Sequence, residues 1–158
     1  MPRFVRLVLA VALILSTAVA SVAPVAAEDK RVTVIARAPF ATVAEALERA
    51  IAEEKMALVC HANAQRGAAA RGVAIKGNQV LMIFRNDLAV RLLAADPAAG
   101  FEAPIRIYVY ENPDGTATVS YVAPTAVFAA YRHPDVHAVA QELESIFKRI
   151  LDRAVAAR

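Results

Sequence analysis

The sequence predicts a single α+β domain in which helices pack on one face of a mainly antiparallel sheet and a long C-terminal helix completes the fold. Three observations lead to this fold class. Short segments in which apolar and polar residues alternate recur between segments whose apolar residues have helical spacing. One pair of such alternating segments flanks a tight turn, and the C-terminal segment carries a continuous apolar stripe. A chain of 158 residues, 58% of them hydrophobic, suits one compact domain and is too small for a multidomain enzyme.

The N-terminus has the layout of a secretory signal peptide. Arg3 and Arg6 precede the apolar run Leu7–Ala20, and small residues follow as far as Glu28. This order predicts removal of residues 1–27 by cleavage after Ala27, with Ala18-Val19-Ala20 as the second choice. Because the removed segment holds two arginines and no acid, the net charge falls from +3 to +1.

Retention of this segment as a membrane anchor is the alternative. Its strongly apolar part, Leu7–Leu15, is shorter than the roughly 20 residues that a membrane-spanning helix needs. Cleavage places the domain, residues 28–158, in the periplasm or outside the cell, and a membrane is a partner only if the segment is uncleaved. Cys60 is the only cysteine, so no internal disulfide can form even in an oxidising compartment.

Residues 31–62 predict a strand, a helix and a second strand. The first strand, Arg31–Arg37, is rich in β-branched residues and ends before Pro39. Thr42 and Glu45 have the spacing of a capping box, which predicts the start of a helix there. The second strand, Met56–Ala62, would place Cys60 on the face of Met56 and Leu58 as a buried, inert thiol.

The second half predicts alternating strands and helices. Residues 63–78 indicate a short helix and a loop, and the apolar segment Gln79–Arg85 indicates a strand buried on both faces. Asn86 or Asp87 can cap the next helix. Residues 105–122 alternate around Asn112-Pro113-Asp114-Gly115, which predicts a β-hairpin. Pro134 fits the first turn of the C-terminal helix, on which Glu144 and Lys148 would form an ion pair.

From Val80 to Pro124 the chain resembles the bacterial domain of unknown function 302 family. The residues that carry the resemblance are Ile83-Phe84-Arg85-Asn86-Asp87, Leu92-Leu93-Ala94-Ala95-Asp96-Pro97, Gly100-Phe101-Glu102-Ala103-Pro104 and the hairpin from Arg106 to Tyr121. The resemblance implies a small fold related to the TATA-binding-protein-like architecture, a homodimer and no established activity. The family has Gly and Pro around its junction Asn, where this chain has Arg85 and Asp87.

The hairpin supplies the main candidates for a binding surface. Arg106, Tyr108 and Tyr110 share one face, and with Tyr121 they would form an amphipathic patch if helices cover the opposite face. A groove beside Asn86 is the second candidate surface. Ordinary cross-strand packing of the tyrosines is the alternative explanation.

A metal site is the competing hypothesis. His133 and His137 stand four residues apart, a spacing at which two imidazoles can share a metal on one helical face. Pro134 argues against this arrangement because it places His133 outside the first helical turn. A third ligand could come from His61, Cys60 or Asp135 only through folding, so we expect no metal and no cofactor.

The sequence therefore predicts an exported, non-catalytic binding or interaction module that binds an unknown small ligand or a protein partner. Its basic residues are scattered among acids, which argues against nucleic acid as a partner. A metal-binding or redox protein that uses His61, Cys60, His133 and His137 is the alternative, and a membrane-tethered subunit is a third hypothesis.

Overall fold

A computed structural model describes residues 30–158, so the predicted signal peptide, residues 1–27, lies outside the described residues. The α+β fold is confirmed. The strands are β1 (Arg31–Pro39), β2 (Ala57–Asn63), β3 (Asn78–Phe84), β4 (Ile105–Glu111) and β5 (Thr116–Val122). The helices are α1 (Phe40–Glu53), α2 (Ala64–Ala69), α3 (Asn86–Ala95), α4 (Pro124–Val127) and α5 (Pro134–Val155), and a 3₁₀ helix spans Pro97–Glu102.

The five strands form one antiparallel sheet in the order β1-β5-β4-β3-β2, so β1 and β2 are its edges. The predicted hairpin is confirmed as β4 and β5, with Tyr108 opposite Ser120 and Val109 opposite Val119. Alternation along each strand sends one set of side chains toward the helices, which we call the inner face, and the other set toward the open face. No helix within residues 30–158 is long and apolar enough to cross a bilayer.

The core lies between the inner face and helices α1 and α5. Leu47 and Ile51 of α1 and Phe147 and Ile150 of α5 are completely or almost completely buried, as the helical spacing predicts. Burial of each such side chain stabilises the fold by roughly 1.5–3 kcal/mol. The sheet is therefore held against the helices by apolar contacts on its inner face.

Glu54, at the end of α1, ties that helix to α5. Its carboxylate lies 2.7 Å from the Arg149 guanidinium and 3.0 Å from that of Arg153. The hydrogen bond from Arg149 holds the pKa of Glu54 below its usual range, and desolvation opposes the shift only in part. A lowered folded-state pKa means that this stabilisation is complete above the usual glutamate range and is lost as the pH falls below it.

The capping box predicted at Thr42 and Glu45 is wrong. Helix α1 begins two residues earlier, at Phe40, and no side chain caps it. The Phe40 backbone N–H instead donates to the carbonyl oxygen of Gly115 in the hairpin turn, at 3.1 Å. Because the Phe40 ring also packs on the backbone at Gly77, tertiary contacts decide where the helix starts.

A β-bulge between Leu58 and Cys60 breaks the predicted alternation of β2. Leu58 pairs with Ile83, and Cys60 pairs with Met82 after the extra residue. The bulge moves Cys60 to the open face, where it is exposed, and turns His61 toward the inner face. The prediction of a buried thiol is therefore wrong.

Strand β3 is buried on one face only. Leu81 and Ile83 are buried against the helices, whereas Val80 and Met82 on the open face are only partly covered. The prediction of a strand buried on both faces is wrong because the described helices cover only the inner face.

The ion pair predicted between Glu144 and Lys148 on α5 is also wrong. Lys148 Nζ lies 2.6 Å from the Asp152 carboxylate, one turn further along the helix. Glu144 accepts hydrogen bonds from the backbone N–H and the hydroxyl of Thr125, at the start of α4. Glu144 is therefore engaged in packing the short helix onto α5.

Replacing Gly77 with Ala tests the contact that positions α1. A Cβ at this position would fall 2.2 Å from the Phe40 ring, so Gly77→Ala should destabilise the fold by about 1–3 kcal/mol through overpacking. Urea denaturation measures the change. Gly67→Ala is the control: nothing lies within 4 Å of its added Cβ, and helical Ala gains roughly 0.5–1 kcal/mol over Gly. Equal stabilities for the two variants would contradict the placement of Phe40.

Candidate functional site

The open face of the sheet differs from the rest of the surface in charge. Its strand positions carry three arginines, Arg31, Arg37 and Arg106, and in the described chain none of the strand residues that point to this face is acidic. The ion pairs of Glu54 with Arg149 and of Glu142 with Arg85 lie instead among the helices or where they join the sheet. The open face is therefore cationic, although the formal net charge of the whole chain is only +3.

Tyr108 and Tyr110 form an aromatic pair on the open face. Their ring centroids are 5.4 Å apart and the rings are inclined by 32°. The Asn78 side-chain amide donates to the Tyr108 hydroxyl at 2.5 Å, which leaves the hydroxyl proton of Tyr108 available for another acceptor. The strand register places Arg106 two residues away on the same face, so these three predicted site residues do come together.

A depression of ≈ 320 Å³ lies beside this pair. Its lining includes Arg31, Arg106, Tyr108 and Ser120, from three adjacent strands. Arg106 is exposed and has no hydrogen-bond or ion-pair partner among residues 30–158. The depression therefore presents an uncompensated guanidinium next to two hydroxyl groups.

Ser120 is the buried polar residue of this depression. Its relative exposure is 8%, and its hydroxyl has no hydrogen-bond partner in the described part of the chain. Every fully buried side-chain nitrogen or oxygen of residues 30–158 does have a partner. The Ser120 hydroxyl must therefore reach solvent, at the floor of the depression, where it can donate to a ligand.

A second depression, of ≈ 430 Å³, adjoins the first and shares Arg106 with it. Phe101, which is 88% exposed, and Glu102 contribute to its lining. The Glu102 carboxylate accepts a hydrogen bond from the Tyr131 hydroxyl at 3.2 Å and forms no ion pair with Arg106 within the described residues. Glu102 is thus already engaged by Tyr131 and does not neutralise Arg106.

Tyr121 contributes to the lining of the depression, but its ring packs on the inner face and not in the open-face patch that the sequence predicts for it. It is 6% exposed, its ring packs 5.1 Å from that of Phe147, and burial raises its pKa. The hairpin register determines the face of Tyr121. Ser120 lies opposite Tyr108 on the open face, so Tyr121, the next residue, must point to the inner face.

The groove expected beside Asn86 is a small apolar cavity beneath the start of α3. Asn86 itself is exposed and begins the helix without capping it, because Arg85 takes the N-cap position. The cavity measures ≈ 30 Å³ and is lined mainly by apolar side chains such as Leu88 and Ile105. It has room for about one water molecule, which is too small for an organic ligand.

The histidines considered for a metal site do not come together. His133 is the N-cap of α5, where its Nδ1 accepts from the Asp135 N–H at 3.2 Å, and His137 is exposed on the helix. His61 is engaged on the inner face of β2. Within residues 30–158 no group of three or more His, Cys, Asp or Glu residues is arranged to hold a metal ion.

The sequence did not predict a groove at one corner of the inner face, which is larger than the apolar cavity beneath α3. We call it the polar groove, and its volume is ≈ 440 Å³. Its lining includes His61 and Asn63 of β2, Gln79 of β3, Glu111 of β4, and Glu45 and Glu48 of α1. The available signal was that Gln79 shares the alternation phase of Leu81 and Ile83, which places a polar side chain among core positions.

Comparison with known proteins gives a family and a fold. The model of the family described as "Domain of unknown function DUF302" matches residues 31–154. A crystal structure of the uncharacterized conserved protein DUF302 from Bacillus stearothermophilus is similar, with a TM-score of 0.69 and 20% sequence identity over 79% of this chain and 98% of that chain. At this identity the similarity shows the fold alone. No curated protein matches the chain.

The position of Cys60 can be checked by its reactivity. Because the thiol is exposed on the open face, Ellman's reagent should modify it in the native protein at a rate close to that in the denatured chain. The Cys60→Ser variant, which should give no signal, is the control. Modification that requires denaturant would contradict the bulge that turns Cys60 outward.

Proposed function

This chain belongs to the DUF302 family, and we propose that it is an exported, non-catalytic module that binds a small anionic molecule on the open face of its sheet. The observation that carries the proposal is the depression in which an unpaired Arg106 lies beside the unpaired, almost buried hydroxyl of Ser120. The ligand chemistry that suits it is a carboxylate or a phosphate.

The donors of the depression match such a group. The planar guanidinium of Arg106 can give two parallel hydrogen bonds to two oxygens of one anion. Ser120 and Tyr108 add hydroxyl donors from the adjacent strands, and Arg31 supplies a second positive charge at the same depression. The Ser120 hydroxyl has no protein partner among the described residues, so it can donate to the anion without breaking a hydrogen bond within the protein.

The distribution of charge supports the same ligand class. Acids among the helices form ion pairs with neighbouring arginines, as Glu54 does with Arg149. Arg37 and Arg106 have no acidic partner among the described residues. A cationic face on an otherwise nearly neutral protein attracts anions toward it, and this attraction weakens as salt is added.

Binding without catalysis follows from the kinds of groups that line the depression. Among its described lining residues, the polar side chains are arginines and hydroxyl groups, which donate hydrogen bonds. Carboxylates and imidazoles are the side chains that most often accept a proton in catalysis, and the described lining has neither. The arrangement therefore suits recognition of an anion.

We also propose that cleavage after Ala27 releases the module into the periplasm and that it forms a homodimer there. The basic and apolar order of residues 1–27 supports export. The edge strand β1 supports dimer formation, because it follows β5 in regular register from Arg31 to Ala36 and leaves its other edge unpaired in the described residues. Pairing of two β1 strands would extend the sheet and leave the depression of each copy accessible.

Replacing Arg106 tests the anion site. Titration with inorganic phosphate and with succinate, followed by NMR chemical shifts, should show saturable binding that involves Tyr108 and Ser120. Arg106→Ala should weaken it about tenfold or more, because a charge-assisted hydrogen bond contributes roughly 1.5–3 kcal/mol. Ser120→Ala should weaken it by a smaller factor without unfolding the protein.

Arg132→Ala is the matched control, since Arg132 is an exposed arginine outside the open face. It should leave the affinity unchanged. Absence of saturable shifts for both anions, or equal losses in the Arg106 and Arg132 variants, would refute an anion site on the open face.

Native mass spectrometry of the protein recovered from the periplasm tests export and assembly together. The expected species is a dimer of chains that begin at Glu28. A chain that keeps residues 1–27 would contradict cleavage, and a strict monomer at micromolar concentration would contradict the dimer.

A further inference from the structure

The polar groove occupies a corner of the inner face where apolar packing stops. Along β3 the inward residues change from Ile83 and Leu81 to Gln79, and along β2 they are His61 and Asn63. Polar side chains at core positions destabilise a sheet unless they are hydrogen-bonded or reach solvent. Here they reach the groove, whose volume of ≈ 440 Å³ lies within the range of small-molecule sites, roughly 300–1,000 Å³.

Gln79 forms the floor of this groove, and only the oxygen of its side-chain amide is hydrogen-bonded within the described residues. It is 8% exposed, and its Oε1 lies 2.9 Å from His61 Nε2. Its amide nitrogen has no partner among residues 30–158 and, because every fully buried polar atom there has one, it must be accessible from the groove. A side chain more than nine-tenths buried thus directs an unpaired polar group into the space where a ligand would lie.

The walls of the groove carry more acid than base. Glu45 and Glu48 stand one turn apart on α1, and Glu111 lies at the end of β4. Only one oxygen of Glu111 is engaged by a main-chain donor, the Gly77 N–H at 2.8 Å. Among the described lining residues three glutamates outnumber the single arginine, Arg66, so the lining carries an excess of negative charge.

We propose that the polar groove is a second binding site, for a small organic ammonium ion. An ammonium group carries three N–H donors, which the carboxylates of Glu48 and Glu111 can accept, while the free Gln79 amide bonds a polar group elsewhere in the ligand. A divalent metal ion suits the groove less well, because within the described residues no three His, Cys, Asp or Glu ligands converge on one point. The carboxylates are spread along the groove, as an extended organic cation requires.

This site is independent of the anion site. The polar groove opens on the inner side of the sheet, beneath α1, and the depression of Arg106 lies on the open face. The two sites also take ligands of opposite charge. Loss of one therefore leaves the other measurable, and the outcomes of their tests are distinct.

The experiment is a titration of the full mature chain with 1,4-diaminobutane and with ethanolamine, followed by ¹H–¹⁵N NMR. Both amines should give saturable shifts of the Gln79 side-chain amide and of the Asn63 and Glu48 backbone amides. Glu48→Gln removes one carboxylate from a half-exposed position and should weaken binding about fivefold, as the loss of a partly exposed ion pair does.

Glu53→Gln is the matched control, because Glu53 lies on the same helix but outside the groove. It should bind both amines as the unaltered chain does. Magnesium chloride is the third arm. Shifts at the groove with magnesium and not with the amines, equal losses in the two variants, or no saturable shifts at millimolar amine would each overturn the proposal.

Discussion

Burial of apolar side chains on one face of the sheet is the constraint on which the other features of this protein depend. Helices α1 and α5 pack on the inner face, and side chains such as Leu47 and Phe147 are removed from water there. The open-face side chains of β1 and β4, by contrast, are exposed or half-buried. The two faces of the sheet therefore have different surroundings, one apolar and one aqueous, and the face on which a side chain lies decides whether it can meet a ligand from solvent.

The same constraint separates the charges. Acidic residues such as Glu54 and Glu142 lie among the helices or beside them, where they bond arginines of neighbouring elements and have lowered pKa values. The open face keeps Arg106 without a partner among the described residues. The helices stop covering the sheet at the corner beside Gln79. There the acids of α1 line a groove and, within the described residues, do not form ion pairs with another helix. Two recessed surfaces of opposite charge thus arise from one packing arrangement.

The hairpin and the C-terminal helix could be predicted because their signals are local in the sequence. Alternation around Asn112–Gly115 and a stripe of helical spacing need no knowledge of the remaining fold. The faces of Cys60 and Tyr121 could not be predicted in the same way. The face of Cys60 depends on a bulge that arises where β2 pairs with β3. The face of Tyr121 depends on the hairpin register and on which side of the sheet the helices cover. The polar groove is formed by elements distant in sequence, so its residues carried no shared motif.

Hydroxyl-radical footprinting of the tyrosines, at a protein concentration low enough to keep the chain monomeric, tests the one-sided burial most directly. We expect Tyr108 and Tyr110 to be oxidised in the native protein and Tyr121 to become reactive only on unfolding. Oxidation of Tyr121 in the native state at the rate of Tyr108, or protection of all three until unfolding, would contradict a sheet with one covered and one open face.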